Sequence, residues 1–438
     1  MLFLLKRTSA AVPGVPAKIL QRNHRGSSTL PPCWTAARFQ HVGKVFWGSG
    51  RAPERKGNWG AAFATRITLR RSREGRDGEA PPTHAMATLV AHRVCPAAVA
   101  AAAAPRLPRE LQCGGETIAV VDYDDVNADD RGERASGLLP DFDIGAFAKR
   151  LVSESESSRT TTTSGSSDNA WTILAARQLV STQNVLHDNA GALPDRCVVV
   201  ADTQTQGKGR AGNTWISPPG CLMCSVLCDI RVEGHKLPLL QYATTLAVVQ
   251  ALEALCGGGN VGGEAAEKFA RIKWPNDIYV NGTKAGGVLC QTVYKGSGKF
   301  QLIAGIGLNV DNETDAFLCV NQVLRSEKRA EIRREDLLAL ILPRLTECYS
   351  YIGRTGGIQD EYYRYWLHSG QKLTVKADAT VKEDASLAQE AAGEKVVTIR
   401  GLSREGMLVG EDEAGRAIEL YPDGNSLDLM KGLIMRKQ

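Results

Sequence analysis

Apolar positions change their period along the chain, and those changes mark its elements. WTILAARQLVSTQN (from Trp171) and RCVVVADTQTQ read as two β-rich segments joined through a short helix. CLMCSVLCDI follows the Pro218-Pro219-Gly220 turn and reads as a buried strand. LPLLQYATTLAVVQALEALCGGG predicts an amphipathic helix ended by glycines. FARIKW, IYVNGTKAGGVLCQTVY and KFQLIAGIGLNV then read as strands, with Asn281-Gly282 as a hairpin turn. REDLLALILPRLTECYSYI predicts a helix, kinked at Pro343. From about Gly370 the segments QKLTVKA, KVVTIRGL, GMLVGEDEAG and AIELYPDGNSLDLM are short strands between turns, the pattern of a small β-barrel or sandwich. The fold class expected is therefore α+β: a mixed sheet with helices, then a small all-β module.

Upstream of Trp171 the pattern fails. Residues 107–169 hold an acidic patch at Asp122–Asp130 and the low-complexity run SESESSRTTTTSGSSDN, a composition that buries too little apolar surface to order itself and reads as a linker. The expected division is a leader over 1–106, a linker over 107–169, a catalytic domain over 170–368 and a small β domain over 369–438.

Charge changes the picture of the leader. The whole chain of 438 residues has a net charge of +5, yet the first 106 residues carry 17 basic and 4 acidic side chains, and the remaining 36 basic and 44 acidic ones sum to −8. The basicity belongs to an Arg-, Ala-, Ser- and Pro-rich leader, which suits an organelle transit peptide for a chloroplast or mitochondrion. Met86 opens a further acid-free stretch and offers a second start, giving a cytosolic or differently targeted product; residues 1–85 as an untranslated extension is the plain alternative. Few aromatics interleave with these basic residues, which argues against a nucleic-acid arm. No apolar run is read as approaching the roughly 18 residues of a membrane span. With 43% hydrophobic and 23% charged residues, the chain has an ordinary globular composition, and its 11 cysteines are read as reduced thiols.

Two motifs carry candidate chemistry. Gly207-Lys208-Gly209-Arg210-Ala211-Gly212 matches G-x-G-x-x-G, but a dinucleotide fingerprint needs a helix directly after the loop, and here Trp215, a Pro-Pro-Gly turn and a strand follow. What remains is a backbone that lets a ligand approach closely, flanked by the cations Lys208 and Arg210. The second motif, Lys273-Trp274-Pro275-Asn276-Asp277, closes one strand, and Lys284-Ala285-Gly286-Gly287 opens the next, so the hairpin projects Asp277 and Lys284 from neighbouring strands. Together with Ser181, Thr182, Gln183 and Gln204, these loops form one polar pocket around Trp215. Either motif alone is compatible with solvated turns.

Together they resemble the biotin protein ligases. Gly207–Trp215 is similar to the family's GRGRxxxxW loop, KWPNDIYVNGTKAGGVL to its KWPND…K-x-G-G-[IV]-L segment, and GIGLNV to its third motif. The resemblance spans about residues 170–438 and, through YWLHSGQ and YPDGNSLDLMKGL, leans to plant holocarboxylase synthetases. It implies a class II aminoacyl-tRNA-synthetase-like catalytic domain and a C-terminal SH3-like barrel. It also implies that ATP activates biotin to biotinoyl-5′-AMP, with Mg²⁺, and that a lysine of a biotin carboxyl carrier domain, of the acetyl-CoA carboxylase type, then takes the biotinoyl group. By the same resemblance Ser181, Thr182, Gln183, Gln204, Lys208, Gly209, Arg210, Trp215, Lys284 and Gly286 bind biotin or its adenylate. Arg210, Lys284 and Asp277 are the catalytic candidates, Asn309 a candidate for adenine, and Asn276 or Asp277 a candidate for Mg²⁺. Two positions depart from the family: Lys208 stands for the first Arg of the loop, and Gln183 for Asn or His.

Other chemistry is weaker. Cys221 and Cys224 lie three apart on a strand and so face opposite sides, which disfavours a shared metal. His187 and His368 lack a nucleophile partner at a recognisable spacing and are read as structural. The competing functions are a lipoate or octanoate ligase or transferase of the same superfamily, and a non-enzymatic biotin-binding regulator. Neither nucleic acid nor membrane is expected as a partner.

Overall fold

The computed structural model describes residues 88–94, 107–122, 140–157, 170–257, 268–312, 317–376, 394–420, 425–428 and 433–436. The sequence expectations for residues 1–87 and for the low-complexity run at 158–169 lie outside the described residues. In chain order the elements are β1 (Thr88–Val94), β2 (Glu110–Cys113), β3 (Glu116–Asp122), α1 (Ile144–Ser157), β4 (Trp171–Leu179), α2 (Thr182–Asn189), β5 (Cys197–Gln204), β6 (Gly207–Lys208), β7 (Thr214–Trp215) and β8 (Cys221–Arg231). They continue with α3 (Leu237–Cys256), β9 (Ala270–Lys273), β10 (Asp277–Val280), β11 (Thr283–Gly296), β12 (Lys299–Asn309), α4 (Val320–Ser326), α5 (Arg334–Thr355) and α6 (Gln359–Tyr363). The last strands are β13 (Lys372–Lys376), β14 (Glu394–Leu402), β15 (Leu408–Asp412), β16 (Ala417–Leu420), β17 (Asn425–Asp428) and β18 (Leu433–Arg436).

Ten strands form a mixed sheet in the order β2-β3-β1-β4-β5-β8-β12-β11-β10-β9. The β1–β3 and β4–β5 pairs are parallel, and the remaining neighbours are antiparallel. Alternate residues feed two cores. Ile173, Ala175, Val198, Val200, Cys224 and Val226 pack with α3, α5 and Phe147 and Leu151 of α1. Leu174, Ala176, Val199, Ala201 and Leu227 pack with Val185 and Leu186 of α2. Because both faces are covered, β8 is buried from Cys221 through Cys228, which is why its sequence reads as one apolar run.

Two sequence readings are corrected here. The leader was drawn to residue 106 and the linker to 169, yet β1 falls inside the first, and β2, β3 and α1 fall inside the second. Leu89 and Val90 are fully buried, with β1 hydrogen-bonded between β3 and β4. Short strands embedded in Ala-, Pro- and Asp-rich flanks vanish in an averaged composition, although each alternates buried and exposed positions on its own. The second correction concerns α3. Thirteen of its 20 residues are buried, so it is a core helix covered on most of its circumference rather than a simple amphipath. The helical stretch Gly234–Cys256 is long and apolar enough to cross a membrane by length and composition, but 72% of its apolar 18-residue window is buried inside this fold.

Helix α5 runs through Pro343 and ends on Gly356, whose φ of 80° supplies the left-handed C-cap. The C-terminal strands form one six-stranded sheet, β16-β15-β14-β13-β18-β17; β13 to β17 fall on the segments read as strands in the sequence, and β18 lies outside them. Its buried Leu373, Val397, Ile399 and Leu408 belong to the same apolar cluster as α3 and α5.

Candidate functional site

The neutral half of the site begins where α2 begins. Ser181 is extended (φ −164°) and caps the helix, so Thr182 and Gln183 lie against β5 and β8. The Thr182 N–H donates to Gln204 Oε1 at 2.8 Å, and its hydroxyl lies 2.9 Å from Ser225 Oγ. Gln183 Nε2 donates to Gln291 Oε1 (2.9 Å) and to the Ile303 carbonyl (3.2 Å), while its Oε1 accepts from Ser225 Oγ (2.9 Å).

Counting protons orients this chain. The Ile303 carbonyl only accepts, which fixes the Gln183 amide and obliges Ser225 to donate to it. The single Thr182 hydroxyl proton is then shared between Ser225 Oγ (2.9 Å) and Gln204 Oε1 (3.2 Å), which leaves its lone pairs available as acceptors. Gly305, paired with Ser225 across β12 and β8, is needed here, because a Cβ at 305 would stand 2.6 Å from Gln183 Oε1. Ser181 Oγ and Trp215 Nε1 are buried with no hydrogen-bond partner in the protein. Leaving such a group unpaired costs about 1–3 kcal/mol, so the pair marks where a polar ligand would bind. The Trp215 indole lies flat enough on Gly307 that a Cβ there would sit 2.7 Å from its Cε2.

The cationic half is carried on two turns. Gly207-Lys208 pairs with Thr214-Trp215, and between them Arg210–Gly212 makes one 3-10 turn closed by Gly209 N–H to Asn213 O at 2.7 Å. Gly207 allows this ladder, since its Cβ would be 2.5 Å from the Trp215 carbonyl. Arg210 donates to Asn276 Oδ1 (3.0 Å), and Asn276 Nδ2 is anchored on the Val288 carbonyl (2.9 Å). The turn of the next hairpin has φ of 46° at Asn281 and 69° at Gly282, so both residues are left-handed as an Asn-Gly turn requires. A register shift after Ile278 pairs Tyr279 with Lys284 and Ile278 with Gly286, leaving Ala285 extra and buried. Lys284 is thereby diagonal to Asp277 on one face, and Lys284 Nζ meets Asp277 Oδ1 at 2.7 Å. Gly286 packs where a Cβ would be 2.5 Å from Leu308 Cδ1.

A cavity of about 1020 Å³ opens beside the cationic loop, lined by Lys208, Gly209 and Arg210, by Gln291, whose Oε1 accepts from Gln183, and by Tyr242 and Met407. Asn309 is buried and already bonded, its Nδ2 donating to the Leu318 carbonyl and its Oδ1 accepting from Cys221 Sγ. Burial pushes the Cys221 and Cys224 thiols up to about 12, so both stay protonated and apolar. Among the described residues no three His, Cys, Asp or Glu side chains form a metal-binding group.

Sequence reasoning missed the supports. Ser225 and Gln291 sit inside strands that read only as apolar. His368, read as merely structural, is fully buried and its Nε2 accepts the Trp274 N–H (2.9 Å), with Nδ1 held by Gln371 Oε1 (2.9 Å). Burial lowers its pKa to about 4, so the ring is neutral and Nε2 is free to accept. The Trp274 indole donates to Tyr242 OH (3.0 Å), which in turn donates to the Gly406 carbonyl. The loop bearing Asn276 and Asp277 is thus gripped from α3 and from the C-terminal sheet. The recurrence of WLHSGQ within the C-terminal motif was the available signal for His368.

Comparison with known proteins gives three findings. Residues 174–309 match the Biotin/lipoate A/B protein ligase family. The chain is 38% identical over 263 residues to Biotin--protein ligase 2 of Arabidopsis thaliana, covering 59% of this chain and 75% of that one. It is also 38% identical over 264 residues to Biotin--protein ligase 1, chloroplastic, of the same plant, covering 59% and 68%. Among solved structures, the biotin protein ligase from Aquifex aeolicus in complex with biotin and ATP aligns over 57% of this chain and 94% of that one, with 24% identity and a TM-score of 0.41.

Proposed function

The chain belongs to the biotin–protein ligase family, and from that premise we propose how its own residues activate biotin and pass it to a carrier protein. One observation carries the reading: Ser181 Oγ and Trp215 Nε1 are buried and unpartnered, the first next to Thr182, which is bonded to Gln204, and the second on the strand paired with Gly207-Lys208 of the cationic loop. A neutral ureido ring has two N–H donors and one carbonyl acceptor. Thr182, whose proton is held between Ser225 and Gln204, receives an N–H, and Ser181 and Gln204 serve the remaining groups; Trp215 walls the apolar body.

In the first step the biotin carboxylate, already ionised at neutral pH, attacks the α-phosphorus of ATP; the bond to the β-phosphate oxygen breaks and pyrophosphate leaves. No general base is required. Alignment and positive charge are, and Arg210, Lys208 and Lys284 supply the latter as charge grows on the phosphoryl oxygens. The pairs Arg210–Asn276 and Lys284–Asp277 hold the cations ready in the meantime. Lys208 brings charge without the two-pronged geometry of arginine. Asn276 and Asp277 offer the oxygen donors that Mg²⁺ favours beside substrate phosphates, where the ion would neutralise phosphate charge. In the second step a carrier lysine, deprotonated, attacks the carbonyl of the mixed anhydride and AMP leaves. Asp277 orients that amine as Lys284 turns to the phosphate. Gly286 lets the acyl-phosphate approach the backbone of β11.

We assign the catalytic region to the class II aminoacyl-tRNA-synthetase-like fold and the six-stranded C-terminal sheet to an SH3-like barrel. The acceptors on this reading are carrier domains of biotin-dependent carboxylases, of the acetyl-CoA carboxylase type, and the basic leader directs the long product to an organelle, chloroplast or mitochondrion.

The test is ATP-dependent labelling of a purified biotin carboxyl carrier domain with radiolabelled biotin, run beside lipoate and octanoate with a lipoyl domain. Biotin labelling alone is expected. Transfer of lipoate or octanoate in place of biotin would assign the chain to the other branch, and biotin binding without transfer would make it a regulator.

A further inference from the structure

The helix that presents Ser181, Thr182 and Gln183 has only eight residues. Isolated helices shorter than about 12–15 residues are marginal in water, so α2 owes its position to what it packs against. On its outer side that support is the β2–β3 hairpin, which lies upstream of the family match at 174–309.

The contact is specific. The Asn189 side-chain amide pairs with the Gln112 backbone in both directions, accepting from its N–H at 3.0 Å and donating to its carbonyl at 2.6 Å, as a neighbouring strand would. The Gly114 N–H donates to Asp188 Oδ2 at 2.8 Å, and Gly114 holds φ of +61° with a Cβ position 3.4 Å from Asn184 Nδ2. Cys113 Sγ donates to the carbonyl of Ser181, the residue whose hydroxyl is unpartnered. Beneath these bonds Leu111 and Cys113 share a core with Val185 and Leu186. The hairpin therefore grips α2 at both ends.

We infer that the β2–β3 hairpin is a clamp that sets the ligand-facing end of α2, with Asp188 and Asn189 as positioning residues for biotin recognition. The inference rests on the assignment of Ser181–Gln183 to biotin. It follows by linkage that a ligand held by the start of α2 tightens the hairpin bonds as well.

Two measurements on the full chain test it. In the unmodified protein, biotin should slow hydrogen exchange at the Gln112 and Gly114 amides, whereas unchanged exchange there, with biotin bound, would overturn the clamp. Asp188→Ala should raise the biotin Kd and KM about five- to tenfold, the loss of one solvent-exposed hydrogen bond. kcat at saturating biotin and the KM for ATP should stay within about twofold, and Asp188→Asn, which keeps the acceptor, should restore biotin affinity. A purely structural role would lower kcat through the active fraction and leave the biotin KM unmoved, and that result would also overturn the inference. Failure of the unmodified chain to bind biotin at all would instead remove the functional reading on which the clamp stands.

Discussion

At one end of the site the polar side chains are neutral and buried: Ser181, Thr182 and Gln183 are 1%, 3% and 4% exposed. At the other, Lys208 is exposed and Lys284 is 47% exposed, each carrying a full charge. The buried end is a network of hydrogen bonds that runs from Thr182 through Ser225 to Gln183 and Gln291, with Gln204 and the Ile303 carbonyl as further acceptors. The exposed end is a set of cations parked on local oxygens. A solvent-exposed ion pair contributes about 0–1 kcal/mol and is readily exchanged for a phosphate, whereas orphaning a buried polar atom costs about 1–3 kcal/mol. The difference separates two tasks: the rigid end decides which small molecule is held, and the adaptable end follows charge as it moves during reaction.

The largest effect should come from the cationic end. Arg210→Ala or Lys284→Ala should fold normally, bind biotin within a few-fold of the unmodified chain, and lose about 10²–10³ in biotin-dependent pyrophosphate exchange. Exchange at the original rate in either variant would break the division. Next in size is acid. His368 ordinarily titrates near 6.5, and burial lowers it to about 4, so the unfolded chain takes up its proton first. The stability it contributes is complete above about pH 6.5 and drains away as pH falls toward 4, amounting to at most about 3 kcal/mol. Urea midpoints between pH 7 and 4 should show that loss, and a His368→Asn chain should show a flatter profile over the same range. Smallest is Ser225→Ala, which deprives Gln183 Oε1 of its donor and leaves the Thr182 hydroxyl to Gln204 alone. Biotin Kd by calorimetry should rise about tenfold with the KM for ATP unchanged. An equal rise in both constants would merge the two ends into one.

How legible these ends were in the sequence follows from distance along the chain. The Lys284–Asp277 pair is seven residues apart and bridged by an Asn-Gly turn, so the hairpin could be read directly; only the bulge at Ala285 was hidden. Ser181, Thr182, Gln183 and Gln204 converge because β4 and β5 are parallel neighbours joined through α2, and a strand–helix–strand pattern carries that information. Ser225, Gln291 and Gly305 meet Gln183 only because the sheet runs β5-β8-β12-β11, an order that no local period encodes. The His368 bond to Trp274 spans 94 residues and joins two segments that each look complete alone. The upstream strands escaped for the opposite reason: they are short, and their signal drowned in the composition of their surroundings.

The position of β1 sets a limit on how the chain can be shortened. Leu89 and Val90 are interior residues of a sheet whose neighbours on either side depend on them, while Met86 stands two residues before the strand. A chain that begins at Met86 would therefore keep the whole strand, whereas a cut a few residues later would take it from between β3 and β4. Any change that moves the first residue past 87 should cost folding itself, which makes β1, and not Trp171, the upstream edge of the described sheet.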